Sequence, residues 1–427
     1  MAAEGAFARW AYSTGLRLVA PLYLGKLWWR GREEPAYRSA WAERFATGGD
    51  GDGRQGRIWV HAVSLGETRA SEPLLQALRR LAPGCGLLLT HGTATGREAG
   101  AALLQPGDAQ VWLPYDTPGA VRRFLRQHKP AVGVLMETEI WPNLLDAARA
   151  AGVPMVLANA RLSERSLAKG ERLRALMRPA VASFARVLAQ TDDDARRLEE
   201  GGAPAVQVMG NLKFDVSPNP ALVERGRAWR AALARPVVLA ASTREGEEEL
   251  LLEAWRRLEA PRPLLLLVPR HPQRFDAVAQ RVGAAGLSCA RRSGWGEGPP
   301  ADAAAADVWL GDSIGEMPLY YAAADAALLG GSFAPLGGQN LIEAAACGCP
   351  LVMGPHTFNF EQAAEMSLAA GAALRATDMA DGVAQAVALA LDPARGERVQ
   401  AALVFSARHR GAAERMAHAI VELLPPA

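Results

Sequence analysis

Three carboxylates stand just past apolar runs that read as buried strands, where chemistry is most easily done, and a lysine stands beside a break between two such series. The first is Glu67, in His61-Ala62-Val63-Ser64-Leu65-Gly66-Glu67-Thr68. Gly66 permits a tight turn, and Glu67 then falls at or just before a helix N-terminus. A carboxylate there either caps the helix, favoured by its dipole, or faces a cleft as a general base; spacing leaves both open. Glu137 and Glu139 follow a later apolar run, in Met136-Glu137-Thr138-Glu139-Ile140-Trp141-Pro142-Asn143. Alternate carboxylates past a buried strand can point into a cleft, with solvation or capping as the alternative. Lys213, in Gly210-Asn211-Leu212-Lys213-Phe214-Asp215, suits a phosphate, although a surface position is the commoner fate of a lysine.

A second set lies in the C-terminal half. Pro269 and Arg270 follow a strand-like run in Val268-Pro269-Arg270-His271-Pro272, and Gly315, Glu316 and Met317 follow another. The most informative stretch runs from Leu329 to Ala344, LGGSFAPLGGQNLIEA. Its glycines let the backbone approach a ligand. A helix opening near Asn340 would turn free N–H groups toward a phosphate. Leu341 and Ile342 continue that turn, and Glu343 is placed to accept hydrogen bonds from ribose hydroxyls. A Gly-rich loop, a helix and an early Glu together point to a nucleotide-sugar donor site.

Such loops need a scaffold, and the apolar pattern supplies one. Strands are expected at 57–62, 86–90, 110–113, 131–135, 155–158 and 186–189, with helices between them, including 68–81 and 141–151. A polar, proline-bearing break at Asp215–Pro220 precedes a second series at 236–241, 263–268, 307–310, 326–329 and 350–353. Strands alternating with helices imply parallel sheets covered on both faces. The expectation is two tandem doubly wound α/β domains, 57–215 and 221–395, with a cleft between them. A helical segment, 396–427, would pack back toward the first domain.

Composition narrows the classes. With 427 residues, a net charge of +2 and half its residues hydrophobic, the chain can bury two cores and lacks the basic excess of a nucleic-acid binder. Its four cysteines form no CxxC pair, and its seven histidines show no metal-ligand spacing, so neither metal nor cofactor is implied. Residues 1–46 are the exception. Ala6–Trp29 is rich in Leu, Tyr and Trp, but Arg9, Arg17, Lys26 and Pro21 make it a poor spanning helix. Arg30, Arg32, Arg38 and Arg44 follow. The expectation is an interfacial anchor on the cytoplasmic leaflet, against a helix docked on its own domain. A Gly/Asp-rich stretch at 47–56 separates it from the first strand.

Taken together, these segments resemble the Kdo (3-deoxy-D-manno-octulosonic acid) transferases of Gram-negative bacteria. The matching runs are HAVSLGE (61–67), METEIWPN (136–143), ANARLSERS (158–166), MGNLKFD (209–215), VPRHPQRF (268–275), GGQNLIEAA (337–345) and MGPHTFNF (353–360). The resemblance covers nearly the whole chain and implies a GT-B glycosyltransferase fold. It further implies a CMP-Kdo donor, a lipid A precursor as acceptor, and a place on the cytoplasmic side of the inner membrane. By it, Glu67 is the general base, and Glu137 and Lys213 stabilise the transition state. Pro269, Arg270, Gly315 to Met317 and Asn340 to Glu343 match CMP-binding positions. Another GT-B transferase or epimerase is the nearest alternative, and a sugar-nucleotide sensor the non-enzymatic one.

Overall fold

The computed structural model describes residues 2–48 and 53–425. The chain forms two compact units, one up to Asp215 and again from Gly411, the other from Val216 to Arg410. In the first, strands β1 (Ile58–His61), β2 (Leu87–His91), β3 (Ala109–Trp112), β4 (Val132–Met136), β5 (Met155–Ala160), β6 (Arg186–Ala189) and β7 (Val206–Val208) form a seven-stranded sheet. Their order is β3-β2-β1-β4-β5-β6-β7, and every pair is parallel. Strand β1 shows why. Ile58 and Val60 enter the core on one face, with Leu74, Leu75 and Leu78 of helix Leu65–Leu81, while Trp59 enters the opposite core with Phe124 and Leu145. A strand buried on both faces must read as a continuous apolar run.

The second unit repeats this plan with β8 (Val237–Thr243), β9 (Leu264–Pro269), β10 (Cys289–Arg291), β11 (Val308–Leu310), β12 (Ala326–Leu329), β13 (Leu351–Met353) and β14 (Ala373–Arg375). The order is β10-β11-β9-β8-β12-β13-β14, again parallel throughout. In both sheets the strand order reverses beside the first strand of the unit. Ligands bind in the crevice at such a switch point, outside the carboxyl ends of the strands. The switch points are β1/β4 and β8/β12.

Two expectations need correction. The helical tail is not continuous: helix Arg395–His409 belongs to the second unit and helix Ala412–Val421 to the first, with Gly411 at a left-handed φ of 76° between them. The Asp215 carboxylate fixes the return, accepting the N–H groups of Gly411 and Ala413 at 2.7 Å each. Met416 and Ile420 then complete the core that Leu74 and Leu78 begin. The second correction concerns helix Ala2–Arg30, which does pack on its own unit. Tyr12 donates to Asp116 at 3.0 Å, Ser13 to Asn143 at 3.1 Å, Arg9 pairs with Asp146, and Leu27 is buried with Tyr37 and Trp112. Its outer face nevertheless exposes Phe7, Trp10, Leu18, Leu22, Trp28 and Trp29. No helix among the described residues is long and apolar enough to cross a membrane. Part of the Gly/Asp-rich stretch, residues 49–52, lies outside the described residues.

Candidate functional site

At the β1/β4 switch point the sheet delivers Glu67, Glu137 and Glu139 from two neighbouring loops. Ser64 caps helix Leu65–Leu81 by accepting the Glu67 N–H, and the Glu67 carboxylate turns back to accept from Val63 N–H at 2.8 Å and the Ser64 hydroxyl at 3.0 Å. This is a variant of the capping box, in which the carboxylate reaches the N–H one residue before the cap. The cap and the base are therefore not exclusive, because the hydrogen bonds that cap the helix also hold the carboxylate in place. Burial pushes the Glu67 pKa up, the Val63 N–H opposes it, and the nearby Glu137 charge adds to the rise. A carboxylate so shifted is a stronger base than one in water.

Glu137 is only 5% exposed and sits at a positive φ of 57°, a conformation uncommon outside glycine and concentrated at functional sites. Its oxygens meet Lys213 Nζ at 2.9 Å and Arg161 Nε at 3.0 Å. Lys213 is brought there by a single 3-10 turn, Leu212–Phe214, whose start is fixed by the Asn211 side chain accepting from Lys213 N–H. Sequence reasoning took Glu67, Glu137 and Lys213 from three separate segments, and the structure brings them near one another. Arg161 was missed. It lies inside one of the quoted runs, but nothing in its spacing marks it as the partner of Glu137.

Glu139 has a different environment. Burial, then the Glu67 charge, raises its pKa to about 7. Its Oε2 lies 4.0 Å from Nε2 of His61, a residue with no exposure. His61 Nδ1 lies 3.0 Å from the Thr90 carbonyl oxygen, which can only accept, so that nitrogen carries the proton and Nε2 is left as an acceptor without a hydrogen-bond partner. Burial holds the His61 pKa down, to about 3, so the ring stays neutral.

In the second unit the carboxyl edge of the sheet carries the other candidates. Pro269 ends β9, and the exposed Arg270 donates its N–H to the Thr243 carbonyl at 2.9 Å. Gly315, at φ 80°, leads into Glu316 and Met317. Burial would raise the Glu316 pKa, but Ser313 at 2.6 Å, Arg292 at 3.0 Å and Arg225 outweigh it and leave the pKa low. The helix after the Gly-rich loop is short, Ile342–Ala346, and opens two residues after Asn340. Asn340 Oδ1 accepts the Ile342 N–H at 3.0 Å, Leu341 and Ile342 are buried, and burial raises the Glu343 pKa.

Sequence reasoning overlooked the loop after β8. Glu247 and Glu248 have no exposure at all. Glu247 accepts the N–H of Gly331 at 2.7 Å and of Phe333 at 3.1 Å, so it braces the start of the Gly-rich loop at the β8/β12 switch point. Glu248 takes both Arg274 nitrogens at 2.8 Å. Gly330 must be glycine, since a Cβ there would lie 2.3 Å from the Ser242 carbonyl oxygen. A polar run, STREGEE, directly after a strand was the available signal.

Comparison with known proteins bears on the family and the fold. The sequence profile described as 3-Deoxy-D-manno-octulosonic-acid transferase (kdotransferase) matches residues 39–216. The chain is 51% identical to the 3-deoxy-D-manno-octulosonic acid transferase of Bordetella pertussis, over 97% of this chain and 99% of that protein. It is 34% identical to the Haemophilus influenzae protein of the same name, over 98% of each. Among solved structures, MurG of Acinetobacter baumannii superposes with a TM-score of 0.54 at 15% identity, covering 86% of this chain and 100% of that one. At that identity the likeness speaks for the fold alone, the GT-B fold of two parallel-sheet units. The full-length identity and the fold agree: this chain is a glycosyltransferase and belongs to the 3-deoxy-D-manno-octulosonic acid transferase family.

Proposed function

We propose that the protein transfers Kdo from CMP-Kdo to a lipid A precursor, with Glu67 as general base. The observation that supports this most is the carboxylate cluster at β1/β4, in which Glu67 is held by its own helix cap and its pKa is raised. Glu67 takes the proton from an acceptor hydroxyl as the hydroxyl oxygen attacks the anomeric carbon. The bond from that carbon to the CMP phosphate oxygen breaks, and CMP leaves with the electron pair. A single displacement of this kind inverts the anomeric centre. Phosphate is a good leaving group, so no protein acid is needed. Lys213, with Glu137 holding it, stabilises charge gathering in the transition state. Pro269, Arg270, Gly315 to Met317 and Asn340 to Glu343 bind the CMP moiety.

The N-terminal helix, exposing Trp10, Trp28 and Trp29, lies on the cytoplasmic face of the inner membrane. Arg32 stacks over Trp29 at 4.1 Å and Arg38 over Trp28 at 4.6 Å. Aromatic rings beside cations suit an interface with anionic headgroups. Incubating the protein with CMP-Kdo and a tetra-acylated lipid A precursor, read by mass spectrometry, tests the whole reading. A mass increase of one or more Kdo units is expected, and it should persist in excess EDTA. Intact CMP-Kdo with unchanged acceptor would refute transfer; loss on chelation, restored by magnesium, would refute the metal-free mechanism.

Glu139 gives a second expected result. Its folded pKa, about 7, exceeds the ordinary carboxyl value of about 4.3. The native state therefore binds the proton more tightly, and the stability this gives is lost as pH rises from about 4.3 through 7. Glu139→Gln removes that slope. Urea unfolding should show the variant gaining on wild type by about 2 kcal/mol between pH 5 and pH 8, and transfer should survive. An unchanged difference would show that Glu139 is not shifted. Inactivity as complete as that of Glu67→Gln would make Glu139, not Glu137, the second catalytic carboxylate.

A further inference from the structure

A cavity of about 530 Å³ lies inside the first unit, beneath the N-terminal helix. The helix is held at both ends, by Tyr12 and Ser13 near one and by the buried Leu27 near the other. Between these anchors Tyr23 meets Tyr115 edge-on at 5.8 Å, beside the cavity. Leu16, Val19 and Ala20 line it from the helix, and Leu113 and Trp141 from the body of the unit. Ten residues on, about 15 Å along the helix axis, the lining turns cationic with Lys26, Arg30 and Arg44.

Arg44 is the informative residue. It is 3% exposed, its guanidinium lies 3.8 Å over the Trp112 ring, and its Nε and Nη2 have no hydrogen-bond acceptor. The hydroxyl of Tyr115, also in the lining, faces this guanidinium. A buried guanidinium with unfilled donors is costly unless an anion completes it. An apolar channel ending in unfilled cationic donors is complementary to an amphiphile with an acidic head.

We propose that this cavity holds one acyl chain of the lipid acceptor, with an anionic group of the same lipid on Arg44, Lys26 and Arg30. The proposal rests on the reading of a lipid acceptor above and specifies how that acceptor is held. Two wall residues tie the cavity to the reaction centre. Val63 gives its N–H to Glu67, and His61 stands 4.0 Å from Glu139. A chain seated here keeps the sugar of the same molecule beside the carboxylate cluster. Each methylene moved from water into such a channel tightens binding about fourfold, so chain length becomes a determinant of acceptor choice.

The test uses the full chain and a dodecyl phosphate probe carrying a photoreactive diazirine, with labelled peptides mapped by mass spectrometry. Labelling is expected on residues 113–117 and Trp141. It should fall at least tenfold in Ala20→Trp, which fills the channel, while labelling of the exposed Trp10 and Trp28 continues. Leu113→Trp fills the channel from the opposite wall and covers the case in which Ala20→Trp does not fold. Arg44→Met should weaken labelling by the phosphate probe and spare a neutral dodecanol probe. Labelling at 113–117 that survives both filling variants, or displacement of the probe by inorganic phosphate alone, would overturn the proposal. Transfer assays give the second arm. The KM for a tetra-acylated acceptor should rise at least tenfold in the filled variants, with that for a deacylated phosphodisaccharide unchanged; an equal rise for both would also overturn it. Absence of Kdo transfer by wild type would defeat the lipid-acceptor reading, while the labelling result would still decide whether the cavity takes an alkyl phosphate.

Discussion

Glu67→Gln should lower Kdo transfer by at least about 10²-fold, the contribution typical of a positioned base, while changing CMP affinity by less than about twofold, well under 1 kcal/mol. The amide oxygen of Gln can still accept from Val63 N–H, so the cap and the fold survive; only the capacity to take a proton is lost. The raised pKa adds a signature. Wild-type activity should fall, as pH is lowered, at a higher pH than an ordinary glutamate would give, because the base must be deprotonated to act. Isothermal titration with CMP and a pH–rate profile read both. Parallel loss of turnover and CMP binding would assign Glu67 to the donor site or to folding. Arg270→Ala and Glu343→Ala should behave oppositely, weakening CMP first.

Removal of residues 2–30 should destabilise the first unit rather than merely free it from membranes. The deletion takes Tyr12 from Asp116, Ser13 from Asn143 and Leu27 from Tyr37 and Trp112. Losing the burial of Leu27 costs about 1.5–3 kcal/mol, and each hydrogen bond adds about 1 kcal/mol. The sum, about 3–5 kcal/mol, corresponds to a fall of about 10 °C in the melting of a unit this size. Calorimetry should show that shift, or aggregation, in the transition of the first unit, with CMP binding retained by the second. A truncated protein that melts with the full chain and stays soluble would show that the docking contacts contribute nothing. The sequence favoured a separable anchor because Trp10, Leu22, Trp28 and Trp29 dominate its pattern. The contacts that fix the helix come from Tyr12 and Ser13, whose partners are more than a hundred residues away.

The same contrast separates what was legible from what was not. Interior strands such as β4 and β9 are buried on both faces, so Val132–Met136 and Leu264–Pro269 announce themselves as apolar runs. The strands β7, β10 and β14 are three residues each, stand at sheet edges and are partly exposed, so their composition follows no such rule. At the sites, Glu67, Glu137 and Glu139 were visible because strand ends are where cleft residues emerge. Glu247 and Glu248 were not, because glutamates in a first helical turn normally face water. Their burial exists only once Gly331, Phe333 and Arg274 arrive from 26 to 86 positions away. Arg161 is invisible for the same reason.

The return of the chain at Gly411 has a consequence for biosynthesis. The first unit holds the N-terminal half of the protein, yet Met416 and Ile420 are part of its core. A ribosome adding about 5–20 residues per second needs roughly 10–40 s to travel from Asp215 to those positions. Throughout that interval the core around Leu74, Leu75 and Leu78 lacks the part that Met416 and Ile420 supply, whereas the second unit, contiguous from Val216 to Arg410, can close as soon as it has emerged. The half made first is therefore the half finished last. A nonsense mutation near the end of the gene would leave the second unit whole and remove Met416 and Ile420 from the core of the half that carries Glu67.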